Sequence, residues 1–508
     1  MPQNPKIKEL DDLAALVQKL KAEGKKVVHC HGVFDLLHIG HIRYFEQARK
    51  MGDVLAVTIT RDEHVNKGPG RPVFAQDLRA EAIAALSVVD YVAVNRWPTA
   101  VETIKLLRPD FYVKGPDYKE VSKDVTGGIV AEREAVKSVG GEIRFTEDVT
   151  FSSSSLLNRF FAGWSPEVEK FIAGFCQRHS PDEVLEWLER AAALRPLVVG
   201  EAIIDEYVFC QAIGKSSKDP VLAVLQGHVE TYAGGTLAIA NHLSGLCEEV
   251  QLVTQLGGAE RREDFVRSAL RPNVRPVFLT KSSSPTIHKR RLVDQYTGNK
   301  LFEIYVMDDR QTGSDDMALL SEALQKAFKE ADLTMVADYG HGMLSPQLIE
   351  LLCESAPFLC VNVQTNAGNR GFNSISKYRR ADYVCLNAGE VEMETRRRNE
   401  NIKPSVEEMS KRVKCARFTV TRGKQGICHY DTDQGTTEIP ALASRVADRV
   451  GAGDAVLAVT SLLVKLGAPW DIVGFLGNLA GAQLVAELGN RKPLDRVALS
   501  KHVTAIMK

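Results

Sequence analysis

The sequence predicts two doubly wound α/β domains in tandem, and three observations carry that prediction. Apolar strand candidates alternate with helix candidates in two separate stretches, a purely helical stretch divides them, and 508 residues are too many for one ordinary core. Hydrophobic residues make up 44% and charged residues 25%, with no low-complexity tract, which fits a packed enzyme and excludes a fibre or a disordered chain. The 64 Lys plus Arg stand against 65 Asp plus Glu, so bulk charge would not hold the chain to nucleic acid or to a membrane. Phosphate recognition, if present, must be local.

The first domain is expected over residues 1–163. Its opening MPQNPKIKELDDLAALVQKL is charged and helix-patterned rather than signal-like, and no apolar run reaches membrane length, so the expected location is the cytoplasm. From Lys26 the strand KVVHCHGVF leads to a helix over His41–Lys50, then the strand DVLAVTIT, a helix over Asp77–Leu86, and the strands DYVAV and DFYVKG. Residues 164–194 read as a helical linker, two amphipathic helices each opened by Ser-Pro. The second domain, 195–508, begins with PLVVGEAIID as a strand and continues through VQLVTQLG, LTMVADY, FLCVNV, YVCLN and ARFTVTRG. Nine cysteines without CxxC or metal-ligand spacing are expected to be reduced packing residues.

Ligands of open parallel sheets sit beyond the carboxyl ends of strands, where a glycine turn and a helix N-terminus offer N–H groups to an anion. Here KVVHCHGVF passes through Gly32, Phe34 and Asp35 into His38-Ile39-Gly40-His41. The two histidines, three apart on a helix starting here, would share one face near the positive end of its dipole and could clamp a triphosphate. Such a spacing alone also arises by chance in packed or solvated pairs. The whole string GVFDLLHIGHIRYFEQA, however, resembles the HxGH signature of the cytidylyltransferase-like nucleotidyltransferases. GPGRPV at 68–73 followed by Arg79, VKGPDYK at 113–119 and FSSSSLLNR at 151–159 follow in that family's order.

The resemblance implies that His38 and His41 contact the nucleotide phosphates, and that Ser152, Ser153 and Ser154 open a helix whose amides and hydroxyls do likewise. Lys67, Arg71 and Arg79 become the cationic candidates, against the plainer reading of solvated surface residues. Gly32, Phe34, Asp35, Lys114, Gly115 and Asp117 complete the expected nucleotide site. The chemistry needs no base, because the attacking phosphate is already an anion; it needs in-line alignment and a stabilised pyrophosphate, with Mg²⁺.

A second anion site is expected near the end of the chain. Asp448, Gly451, Ala452, Gly453 and Asp454 precede AVLAVTSLLVKLG, an apolar run of helix length closed by Gly467. A carboxylate is a poor choice for holding phosphate alone. As a general base, Asp454 would take a hydroxyl proton while the amides of Gly451 to Gly453 stabilise the moving phosphoryl group; the plainer reading is an acid favoured by the helix dipole.

This half resembles the ribokinase-like (PfkB) sugar kinases along its length, through VVGEAIIDEY at 198–207, AGGTLAIAN at 233–241, ADYGHG at 337–342, NAGEVE at 387–392 and TRGKQG at 421–426. The resemblance implies a sugar pocket lined by Asp205, Gly234 and Gly235. It places Asn387 and Glu390 near Mg²⁺ and phosphate, Thr421 and Gly423 beside the nucleotide, and Asn478 near adenine. PTIHKRRLVDQ resembles the lid over the sugar, so that His288, Lys289, Arg290 and Arg291 would meet the substrate's own phosphate.

The pair of domains resembles the ADP-heptose synthases, in reversed order. That implies ATP-dependent phosphorylation of heptose 7-phosphate at C1, and nucleotidyl transfer to heptose 1-phosphate, in an enzyme expected to be a homodimer. Two departures stand out: the family's sugar-contacting asparagine is Ala238, and its Asp-Pro-Lys strand end reads Asn362-Val363-Gln364. The alternatives are the same chemistries on another sugar or polyol phosphate with CTP, or one inactive, regulatory domain. A tRNA synthetase relative is disfavoured by the missing KMSKS-type loop and the lack of basic surplus.

Overall fold

Strands that read as unbroken apolar runs take central places in parallel sheets, because helices cover both of their faces. β1 (Val27–Gly32) and β2 (Val54–Ile59) are buried along almost their whole length. With β3 (Tyr91–Val94), β4 (Phe111–Lys114) and β5 (Glu142–Phe145) they form a parallel sheet in the order β3-β2-β1-β4-β5. The chain switches sides between β1 and β4, so a ligand crevice opens beyond the carboxyl end of β1. The helices Ile39–Arg49 and Gln76–Ala84 fall within two residues of the expected bounds. Leu13, Val17 and Leu20 of the helix Leu10–Ala22 share one core with Val27, Val54 and Ala93.

The protein is described by a computed structural model over residues 4–116, 128–147, 164–282, 284–369, 371–398, 401–443 and 445–508. Its contacts divide into two units, one of residues 1–164 together with 497–508, the other of residues 165–496. Among the described residues no helix is long and apolar enough to cross a membrane. All nine cysteines are free, and most are buried.

The second unit contains β6 (Pro196–Gly200), β7 (Ala202–Lys215), β8 (Leu222–Gly235), β9 (Val250–Gly257), β10 (Val274–Lys281), β11 (Ile287–Asp294) and β12 (Lys300–Val306). It continues with β13 (Leu333–Asp338), β14 (Leu359–Val363), β15 (Tyr383–Asn387), β16 (Arg417–Thr421), β17 (Ile427–Asp431) and β18 (Gly435–Ile439). Nine of these make one sheet, β10-β9-β6-β13-β14-β15-β16-β17-β18, parallel as far as β16 and antiparallel beyond it. The other four make a smaller sheet, β12-β11-β7-β8.

PLVVGEAIID, read as one strand, is divided between the two sheets. Gly200 has φ +145°, and a Cβ there would lie 2.0 Å from the carbonyl oxygen of Ala337, so only glycine lets the chain leave β6 for β7 at this point. The two Ser-Pro helices form as expected, Pro166–Arg178 and Pro181–Ala192. Ser165 accepts from the N–H of Val168 and Ser180 from that of Glu183. Both helices lie within the second unit, where Phe175 stacks on Phe475 with 4.3 Å between ring centroids.

Candidate functional site

β1 uses both of its own histidines in the scaffold. His29 and His31 lie on one face of the sheet and share the hydroxyl of Thr58, at 2.7 and 2.9 Å, and burial holds both imidazoles far below their ordinary pKa. The strand then ends at Gly32, where a Cβ would meet the Phe34 ring at 2.9 Å. Phe34 itself takes a left-handed φ of 48°, packs on Phe45 and sets its ring edge-on to His41 at 5.3 Å.

His38 sits at the N-cap of the helix rather than on its face. Its Nδ1 accepts from the N–H of Gly40 at 3.1 Å. The two imidazoles nevertheless come together, stacked with 3.9 Å between centroids. Burial lowers His38, and Lys67 lowers it further. His41 falls to about 3 through burial and then the charges of His38 and Lys67. Both rings are therefore neutral N–H donors at the head of a helix, in a field that an anion would relieve.

The cationic candidates divide by use. Asp35, only 1% exposed, accepts from Arg71 and from the N–H of Val73 at 2.6 Å, and so fastens the GPGRPV turn beside the histidines. Lys67 in that stretch is lowered to about 8, first by burial and then by Arg71. Arg79 is turned to the scaffold: its guanidinium donates to the carbonyls of Val33, Thr60 and Phe74 and to Asp62. Lys114 closes β4 in a buried ion pair with Glu132 at 3.0 Å, and Gly115 follows with open space beside it. Asp117, Ser152, Ser153 and Ser154 lie outside the described residues.

In the second unit, Gly451 caps the helix Ala452–Leu466 with φ +81°, and a Cβ there would strike the side-chain oxygen of Asn490 at 2.0 Å. Gly453 has open space beside it. Asp454 lies in the first turn, nearly buried. Its Oδ1 accepts from the Tyr339 hydroxyl at 3.3 Å and from the Gln364 amide at 3.1 Å. Burial and the charge of Asp205 push its carboxyl up to about 7 against those two hydrogen bonds and the pull of Lys289. A group poised there can both accept and hold a proton near neutral pH.

Around it the expected sugar-side residues converge. Asp205 stands opposite Lys289 in the β7–β11 register and is gripped by Arg291 at 2.5 Å. Gly234 makes room for it, since a Cβ there would fall 2.2 Å from its Oδ2; neighbouring Gly235 has φ +57°. The four basic residues of β11 differ in their partners. Arg290 pairs with Glu206, near which the His288 imidazole, its pKa lowered by burial, also lies, and Arg291 spans Asp205 and Glu303. Lys289 has no ion pair among the described residues; its ammonium lies over the Tyr305 ring, and burial lowers its pKa.

Asn387 and Glu390 form a reciprocal capping box, in which Glu390 also accepts from the N–H of Thr365 at 3.2 Å. Burial raises Glu390 to about 7, with a further push from Asp454. Thr421 ends β16, Gly423 opens the next turn at φ +56°, and Asn478 donates to the Pro440 carbonyl at 3.2 Å.

Tyr339, Gln364 and Glu201 were not singled out as site residues from sequence. Glu201 is buried, accepts from the N–H groups of Tyr339 and His341, and helps line a cavity with Gln255, Lys281, Thr286 and His341. The signal for Gln364 was present as a departure at a strand end; the bond to Asp454 is visible only in three dimensions.

Comparison with known proteins agrees with this division. Residues 195–496 match the pfkB family of carbohydrate kinases, and residues 29–159 match the cytidylyltransferase-like family. Relatives include bifunctional protein HldE of Geobacter sulfurreducens, 38% identical over 165 residues, which are 32% of this chain and 32% of that one. HldE of Aliarcobacter butzleri is 44% identical over 142 residues, 27% of this chain and 29% of that one. The matched stretch thus spans about a third of the length of these curated relatives. A phosphofructokinase-2 variant from Escherichia coli covers 62% of this chain and 100% of its own, with TM-score 0.51 and 16% identity, which shows a shared fold. Because the kinase match takes in more than half of the 508 residues, the chain belongs to the pfkB family of carbohydrate kinases, with a cytidylyltransferase-like domain ahead of the kinase in the same polypeptide.

Proposed function

We propose that the chain is a bifunctional sugar-activating enzyme, with nucleotidyltransferase chemistry in residues 1–163 and kinase chemistry in the part that follows residue 195. One observation carries this reading: two strand–turn–helix ends are built for anions, and only one of them contains a poised base. The end with the base, Asp454, suits an alcohol acceptor, which must lose a proton. The end without one, at His38 and His41, suits an acceptor that is already a phosphate anion.

In the kinase reaction Asp454 takes the proton of the sugar hydroxyl as the γ-phosphoryl group of ATP passes to the oxygen, and the amides at Gly451, Ala452 and Gly453 receive the charge of the transferring group. Asp205, with Gly234 and Gly235, orients the sugar, and Lys289 meets its phosphate. Thr421, Gly423 and Asn478 hold the nucleotide. Mg²⁺, when bound with the nucleotide, neutralises phosphate charge. Glu390, raised beside Asp454, is the carboxylate that a cation would relieve, acting with Asn387 through water because its own oxygens already accept backbone N–H groups.

In the second reaction a sugar 1-phosphate oxygen attacks the α-phosphorus of a nucleoside triphosphate and pyrophosphate leaves. His38, His41, Lys67 and Ser152 to Ser154 stabilise the phosphates, while Asp35 and Arg71 hold the turn. The favoured substrates are heptose 7-phosphate, phosphorylated at C1, and heptose 1-phosphate with ATP, giving ADP-heptose; the name of the HldE relatives and the resemblance of both halves support them. The second reading, another sugar or polyol phosphate with CTP, is favoured by Ala238 and by the amide at Gln364. The enzyme would act in the cytoplasm as a homodimer. Assaying heptose and pentose phosphates against ATP and CTP tests the assignment. Saturable phosphorylation of heptose 7-phosphate and pyrophosphate release with heptose 1-phosphate and ATP are expected; activity on neither heptose would refute the substrate.

A further inference from the structure

The helix Arg496–Ile506 begins where the kinase family match ends, and residues 497–508 belong with the N-terminal unit. Its Leu499, His502, Val503 and Ile506 are buried. One contact is very close. Gly68, in the GPGRPV turn, has φ +98°, and a Cβ there would come within 2.6 Å of the His502 ring. His502 is 5% exposed, and burial drives its imidazole down to about 4, so it is a neutral ring wedged against the turn.

Lys67, the residue before Gly68, lies within electrostatic reach of the histidine pair. The charge of Lys67 reaches both His38 and His41, and Lys67 in turn feels Lys501 and Lys508 of this last segment as well as Arg71. Asp35 offsets them, and it is already bound to Arg71. Cations gathered round two imidazoles repel one another unless an anion of several charges lies among them.

We infer that the last helix is part of the polyphosphate site of the N-terminal unit. His502 positions the Lys67–Gly68 turn, and Lys501 and Lys508 extend the positive ground of His38, His41 and Lys67 toward the β- and γ-phosphates of a nucleoside triphosphate, which leave as pyrophosphate. The inference rests on the nucleotidyltransferase reading, and the test separates the two. Inorganic pyrophosphate with Mg²⁺ is titrated by calorimetry into the full chain and into His41→Ala, Lys501→Glu/Lys508→Glu, His502→Ala and His502→Phe. Binding that His41→Ala removes belongs to the N-terminal site. The double lysine variant weakens that component about tenfold at low salt, by a margin that narrows as ionic strength rises. His502→Ala weakens it too, and His502→Phe, which keeps a ring against Gly68, restores it. If His41→Ala removes binding but the double lysine variant matches the native chain at every salt concentration, the inference is overturned while the nucleotidyltransferase reading stands. If His41→Ala removes no binding, that reading fails and the inference goes with it.

Discussion

Asp454 holds a proton balance set by its neighbours. Burial raises its carboxyl to about 7, and the partner at Gln364 is a neutral amide where the sugar kinases that this half resembles carry lysine. A cation at that position would stabilise the carboxylate and lower its pKa. The base acts deprotonated, so kinase kcat should rise with pH through about 7 in the native enzyme. Gln364→Lys should move that acid limb to lower pH while leaving the high-pH plateau in place. A limb that stays put, or moves upward, would show that Asp454 does not govern the profile. Arg79 teaches the opposite lesson about single residues: its place after GPGRPV marks it as a phosphate contact, yet four scaffold oxygens occupy its guanidinium. Donor satisfaction is invisible in a motif, because it depends on carbonyls brought from Val33 and Thr60 by the fold.

Elements that bury an unbroken apolar run were legible from sequence, and those stabilised by pairing were not. VLAVTI announces a central parallel strand, and the Ser-Pro signals mark the starts of both helices ahead of β6. The small sheet is different. β8 is largely exposed along LAVLQGHVE and has no run of its own; it exists because β7 pairs with it over almost its whole length. That sheet nonetheless carries the proposed sugar side of the site, through Asp205 on β7, Gly234 on β8 and Lys289 on β11. Gly234→Ala tests whether its geometry matters. A methyl 2.2 Å from the Asp205 carboxylate must displace it, so KM for the sugar should rise about tenfold or more with the nucleotide KM little changed. An unchanged sugar KM would remove Asp205 from the pocket.

At the scale of the whole chain, the central claim is that two chemistries occupy separate sites with separate requirements. His38 and His41 belong to one unit and Asp454 to the other, and the bonds from Gly40 to His38 and from Tyr339 and Gln364 to Asp454 each join residues of a single unit. The order of the two families was readable from HxGH and GAGD, because glycines at a helix start and the residues beside them are contiguous in sequence. The membership of residues 497–508 in the N-terminal unit was not readable, since it joins Gly68 to His502 across most of the chain. The most direct measurement is a pair of assays on three full-length proteins, with ATP-dependent phosphorylation of heptose 7-phosphate in one and pyrophosphate release from ATP and heptose 1-phosphate in the other. Asp454→Asn should lower kinase kcat by about 10²–10⁴ and spare pyrophosphate release, and His41→Ala should abolish pyrophosphate release and spare the kinase. A single substitution that silences both reactions, or native activity of either variant in the reaction assigned to its own site, would contradict the claim.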